Sequence, residues 1–215
     1  MKDRLSTNKD AQQADMKNYY KVQAKIYDLT RWLFLFGRFS VWKHVPFDRQ
    51  AAISILDVGC GTGVNSAKMA RLFPNAHITA LDVSEDMLAQ AAKRLKPFGD
   101  KVSLVHQPYE KNPAHSERYD LIHFSYALTM INPQWQDLLE QAQADLKPGG
   151  VIVVADFHDT PVRYYKKFMR ANHVRLDGHL LPVLKQMFRP VFHRVGKGYL
   201  GVWEYFQFVG QRLDA

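Results

Sequence analysis

Between Asp57 and Gly63 the chain reads Asp57-Val58-Gly59-Cys60-Gly61-Thr62-Gly63. The apolar run Ile53-Ser54-Ile55-Leu56 precedes it and a helical pattern, Val64 to Phe73, follows. No other segment constrains the fold as strongly. A short apolar run that stops at glycines reads as a buried strand. Glycines there let the backbone turn tightly into a helix and let a ligand approach main-chain N–H groups. The segment predicts a strand–loop–helix unit of a nucleotide-binding α/β fold.

The same alternation continues along the chain. His77–Leu81 reads as a second strand, and Ser84 is placed to cap a helix from Glu85 to Leu95 that Pro97-Phe98-Gly99 ends. Val102–Val105, Tyr119–Phe124 and Val151–Ala155 read as further strands, with a helix from Pro133 to Leu146 before the last of them. Apolar strands alternating with helices imply a parallel sheet covered on both faces. The stretch from Pro161 to Lys197 has a largely helical character, and Val202–Val209 alternates as a late strand.

A lone glycine turn fits many nucleotides, but its neighbours narrow the choice. Asp57 stands two residues before the first glycine, where a carboxylate would repel a pyrophosphate. S-adenosylmethionine (SAM) carries an ammonium and no phosphate, so an acid there is useful. Asp82, at the end of the second strand, is suited to accept hydrogen bonds from ribose hydroxyls. Leu146-Lys147-Pro148-Gly149-Gly150 closes the helix before the fifth strand.

Together, over about Ile53–Asp156, these features resemble class I SAM-dependent methyltransferases. The resemblance implies a Rossmann-like α/β fold: a seven-stranded, mostly parallel sheet with an antiparallel last strand, plus N-terminal helices. It places Asp57, Gly59, Cys60 and Gly61 at the methionine part of SAM and Asp82 at the ribose. Val83, Ser84 and Met87 are to flank the adenine, and Gln107, Pro108 and Tyr109 to meet its edge. Thr62, Gly63, Asn65, Ser125, Tyr20 and Tyr27 complete the expected cofactor site, where S-adenosylhomocysteine would remain as product. A Rossmann-like domain for another nucleotide is the alternative.

Three regions are expected: a flexible tail at 1–15, helices at 16–45, and the methyltransferase domain at 46–215 with a basic helical insertion at 160–198. The aromatic-rich helices at 16–45 either pack on the domain or form a lid. Tyr19-Tyr20, Ile26–Arg31 and Phe34–Arg38, with Phe124–Ile131, are similar to diacylglyceryl homoserine N-methyltransferases of betaine-lipid synthesis, and broadly to bacterial phospholipid N-methyltransferases. That likeness implies a lipid-headgroup amine as methyl acceptor. The net charge of +8 favours anionic partners. Between Thr160 and Gly198 basic residues alternate with aromatic ones and Asp177 is the single acid. Such helices suit an anionic membrane surface, although a solvated basic face over an ordinary core has the same composition. A small molecule, a quinone or RNA are the other acceptor classes, and no RNA-recognition module is visible. A SAM-binding partner subunit is the non-enzymatic alternative; the intact glycine loop and its two acids argue against it.

For transfer to an amine, the protein must align donor and acceptor and accept a proton. Tyr20, Tyr27 and Tyr126 are candidate aromatic walls for the cationic donor. His158, just beyond the fifth strand, is the candidate proton acceptor, with Tyr27 and Asp28 competing; Arg31 is placed to pair with a substrate carboxylate. The histidines show no paired-ligand spacing and Cys60 is the lone cysteine, so no metal site is expected. The polar N-terminus lacks a signal-peptide pattern and no apolar run is long enough to span a bilayer, so a cytoplasmic protein, peripheral on the inner membrane face at most, is expected.

Overall fold

The computed structural model describes residues 35–112, 116–131, 134–171 and 174–213. The expected tail and most of the aromatic helices at 16–45, including Tyr20, Tyr27 and Arg31, lie outside them. Seven strands form one sheet: β1 (Ser54–Val58), β2 (His77–Asp82), β3 (Val102–His106), β4 (Tyr119–Ser125), β5 (Leu146–Phe157), β6 (Phe188–Gly198) and β7 (Trp203–Arg212). Their order is β3-β2-β1-β4-β5-β7-β6. The pairs among β1 to β5 are parallel, and β7 runs antiparallel to both β5 and β6. This is the expected seven-stranded topology.

The helices are α1 (Val64–Leu72), α2 (Glu85–Leu95), α3 (Trp135–Asp145), α4 (Arg163–Ala171) and α5 (Leu180–Met187). Strand side chains alternate between the sheet's faces. Leu56, Ile122 and Val154 enter one core beside Leu138, Leu139 and Leu184. Their chain neighbours Ile55, Leu121 and Val153 enter another beside Trp42, Met69 and Phe73. Both faces are therefore buried, as continuous apolar strands require.

The sequence expectation fails at one element. Residues 188–198, read as part of a basic helical insertion, form β6, so helix ends at Met187. Among the described residues the strand pairs only with β7, and its register shifts between Pro190 and Phe192. Proline lacks a donor and is tolerated at such an edge. Among the described residues no helix is long and apolar enough to cross a membrane.

Candidate functional site

Because β1, β4 and β5 are adjacent and parallel, the segments that follow them leave the sheet at one edge. Ligands of open α/β sheets bind at that carboxyl edge. The loop after β1 has Gly59, Gly61 and Gly63 at φ of +66°, +55° and +75°. A side chain would strain this backbone. Among the described residues a Cβ on Gly61 would meet nothing within 4 Å, so the loop keeps an open face there. A Cβ on Gly63 would lie 2.9 Å from Leu95 Cδ1 and 3.1 Å from Ala91 Cβ. Gly61 thus leaves room for a ligand, whereas Gly63 lets α1 and α2 approach.

Asp82 joins β2 to this loop. Its Oδ2 accepts the Gly61 N–H at 2.7 Å and its Oδ1 accepts the Ser84 N–H at 2.9 Å. The Cys60 N–H donates to the Leu81 carbonyl at 2.9 Å. The loop is pinned across two strands before any ligand binds. Ser84 caps α2 as expected, its Oγ accepting the Met87 N–H at 3.4 Å. Val83, Gln107 and Pro108 are exposed beside that edge. Asn65 Oδ1, at the start of α1, and Ser125 Oγ, at the end of β4, are buried without a hydrogen-bond partner among the described residues. Buried polar atoms without partners are uncommon and fit a polar ligand.

Several residues expected to touch the cofactor are occupied otherwise. Asp57 is 1% exposed. Its Oδ2 accepts the Ser66 hydroxyl at 2.5 Å and its Oδ1 lies 2.8 Å from His123 Nδ1. The carboxylate therefore ties β1 to α1 and β4 from inside the core, where both of its oxygens are engaged. Cys60, Thr62 and Met87 are buried too, and the Thr62 carbonyl accepts a bond from Arg94. Burial, reinforced by Asp57 and Asp82, pushes the Cys60 thiol far above its ordinary range, which disfavours the thiolate. Tyr109 was expected at the adenine edge. Its hydroxyl instead donates to Asp145 Oδ2 at 2.9 Å, and its ring packs on Phe124.

Tyr126, expected as an aromatic wall, is 2% exposed and takes a left-handed φ of +54°. Its hydroxyl donates to the Phe36 carbonyl at 2.7 Å and its ring meets Phe157 edge-on at 4.7 Å. The residue belongs to the core cluster with Trp203 and Met169. His158 follows β5 directly. Its ring lies over Gly178, whose Cβ would sit 3.2 Å from Cε1, and its Nδ1 is buried without a partner among the described residues.

Sequence reasoning passed over His123 and Ser66. A histidine inside the apolar strand Tyr119–Ser125 was the available signal. In register it stands opposite Asp57. Asp156, at the end of β5, was also passed over. It is fully buried, accepts the Thr129 hydroxyl at 2.6 Å and the Phe157 N–H at 2.8 Å, and burial raises its pKa to about 6.

The sheet order and the glycine turn after β1 define the class I methyltransferase fold. Residues 55–150 match the methyltransferase domain family. A demethylmenaquinone methyltransferase of Clavibacter sepedonicus is 33% identical over 152 residues, covering 67% of this chain and 60% of that protein. A ubiquinone/menaquinone biosynthesis C-methyltransferase of Proteus mirabilis is 27% identical over 188 residues, covering 85% and 73%. Among solved structures, the 1,6-didemethyltoxoflavin-N1-methyltransferase of Burkholderia thailandensis superposes with a TM-score of 0.70 at 16% identity, covering 95% of this chain and 90% of that one. That structure holds 1,6-didemethyltoxoflavin and S-adenosylhomocysteine.

Proposed function

We propose that the protein is a SAM-dependent methyltransferase acting on a small organic acceptor. One observation carries the reading. The open glycine turn is preorganised by the Asp82 carboxylate at the carboxyl edge, with unpartnered Asn65 and Ser125 beside it. These residues fit SAM: a phosphate-free, cationic ligand with a ribose to be gripped. The methyltransferase domain match and the S-adenosylhomocysteine in the toxoflavin enzyme support the same cofactor. Bound there, SAM supplies an activated methyl group and its own leaving group.

The chain's residues then align and shield rather than activate. Gly59 and Gly61 admit the ligand's backbone-facing side. Asp82 has lone pairs left for ribose hydroxyls. Asp57, through Ser66 and His123, holds the loop's first strand in place. His158 stands at the same edge, where its unpartnered Nδ1 can take a proton from an acceptor that must lose one.

For the acceptor, the demethylmenaquinone and ubiquinone/menaquinone relatives favour the quinone and small-molecule alternative over a lipid-headgroup amine. The segment that carried most of the lipid resemblance, 19–38, lies largely outside the described residues. Calorimetry tests the cofactor: SAM should bind the wild-type chain, and Asp82→Ala should weaken it about tenfold or more. A folded wild type that ignores SAM would falsify the reading.

A further inference from the structure

A cleft of about 1090 Å³ opens between the turn after β4, the first turn of α3, helix α4 and the segment Val174–Asp177. It follows β4 and β5, and therefore lies on the same sheet edge as the glycine turn. Trp135 and Met130 give it an apolar part. Beside Val174 and Leu176, the rest of its wall is dominated by cations: Arg163, Lys166, Lys167 and Arg170 from α4, and Arg175 from the facing segment.

Two of these cations are already neutralised. Lys166 pairs with Asp159 at 2.8 Å and Arg175 with Asp177 at 2.6 Å. Asp177, the acid of the lining, is also hydrogen-bonded to His179. Arg163, Lys167 and Arg170 have no carboxylate partner among the described residues. Their spacing of four and then three residues stacks them on one face of α4. Like charges one turn apart repel, and the first turn of α4 holds no acid to relieve them. An anion in the cleft removes that repulsion.

We infer that this cleft binds an organic anion of the phosphate class, a phosphate monoester or diphosphate on an apolar or aromatic body. Arginine guanidinium groups match phosphate oxygens in a planar, two-pronged geometry, and Lys167 adds a point charge. Three unneutralised cations suit a group with more than one negative charge. Trp135 and Met130 offer the body of the ligand a surface. A bilayer fits less well, because the cationic row lines a concave cleft. The strongly exposed aromatic residues of α4, Tyr164 and Phe168, lie off that row.

The inference deepens the methyltransferase reading by assigning the anion to the acceptor, and its test separates the two. Phenyl phosphate, inorganic pyrophosphate and phenol are titrated into the full chain by calorimetry, with S-adenosylhomocysteine titrated separately. Phenyl phosphate and pyrophosphate should bind with one site per chain while phenol does not. The double variant Arg163→Gln/Arg170→Gln should weaken both anions about tenfold or more, and Lys167→Gln by a smaller factor, with S-adenosylhomocysteine binding unchanged. These side chains are exposed, so folding should survive, as circular dichroism would verify. Intact S-adenosylhomocysteine binding with no anion binding, or anion binding that the double variant leaves untouched, overturns the cleft assignment alone. Sedimentation with phosphatidylglycerol vesicles that the double variant abolishes, without phenyl phosphate binding, also overturns it and returns the cations to a lipid surface. Anion binding without S-adenosylhomocysteine binding leaves the cleft standing and sinks the methyltransferase reading.

Discussion

His123 Nδ1 and Asp57 Oδ1 lie 2.8 Å apart, with neither side chain open to solvent. They face each other in register on β4 and β1. The Ser66 hydroxyl completes the set from α1. The strand that delivers the glycine turn is thus tied to two neighbours through one carboxylate.

Removing either partner leaves a buried polar group unsatisfied. Asp57→Ala should cost about 3 kcal/mol of stability. His123→Ala should cost a similar amount, and His123→Asn, which keeps a donor near the Nδ1 position, should cost less. Urea denaturation gives the ranking, and equal losses for the two His123 variants would show that packing, not the hydrogen bond, sets the effect.

Asp82 holds the glycine turn itself through Gly61, so its removal should separate binding from stability. Asp82→Asn keeps an oxygen acceptor but has only one, for the two N–H donors of Gly61 and Ser84. SAM affinity should fall about tenfold while unfolding free energy drops by about 1 kcal/mol. Calorimetry and chemical denaturation on one preparation make the comparison.

Gly63→Ala tests the helix contact. The new Cβ is crowded by Leu95 and Ala91 and must hold φ near +75°. A loss of about 2 kcal/mol is expected from strain and overpacking combined. The thermal midpoint should fall accordingly, whereas Gly61→Ala, which meets no neighbour, should cost less stability and more SAM affinity.

Asp156 sets a pH dependence. Desolvation outweighs its hydrogen bonds to Thr129 and Phe157, raising its pKa from 3.8 to about 6. The folded protein therefore holds a proton that the unfolded chain releases over this range. Its stabilising contribution is complete below about pH 4 and is lost as pH rises through about 6, by up to about 3 kcal/mol. Lowered carboxylates such as Asp120 and Asp177 act in the opposite sense, so the comparison must be with Asp156→Asn. The difference in stability between wild type and variant should change across pH 4–7 and be flat above it.

Tyr126→Phe removes the hydroxyl bond to the Phe36 carbonyl and leaves the ring in its cluster. Stability should fall by about 1 kcal/mol with methyl transfer largely retained. A large loss of turnover at unchanged stability would return Tyr126 to the acceptor site.

The strands of the parallel half, the turn and the Ser84 cap were legible because each is written in local sequence. Apolar runs stop at glycines, and a serine stands at the start of a helical period. The partners of Asp57, Tyr109 and Tyr126 were not, because Ser66, His123, Asp145 and Phe36 reach them through the tertiary fold. β6 was misread for a different reason. It follows α5 directly, and Arg189, His193, Arg194 and Lys197 are all exposed and recur at a helix-like spacing, which resembles the polar side of a helix.

That same strand has a second consequence. Among the described residues β6 ends the sheet, with one row of backbone donors and acceptors unpaired by any neighbouring strand. Such a row is a template on which another copy of the chain can pair. Here Pro190 interrupts the row beside a register shift, and Arg189, Arg194 and Lys197 bring like charges to any copy that approaches edge to edge. The sheet's last strand is built to refuse an eighth.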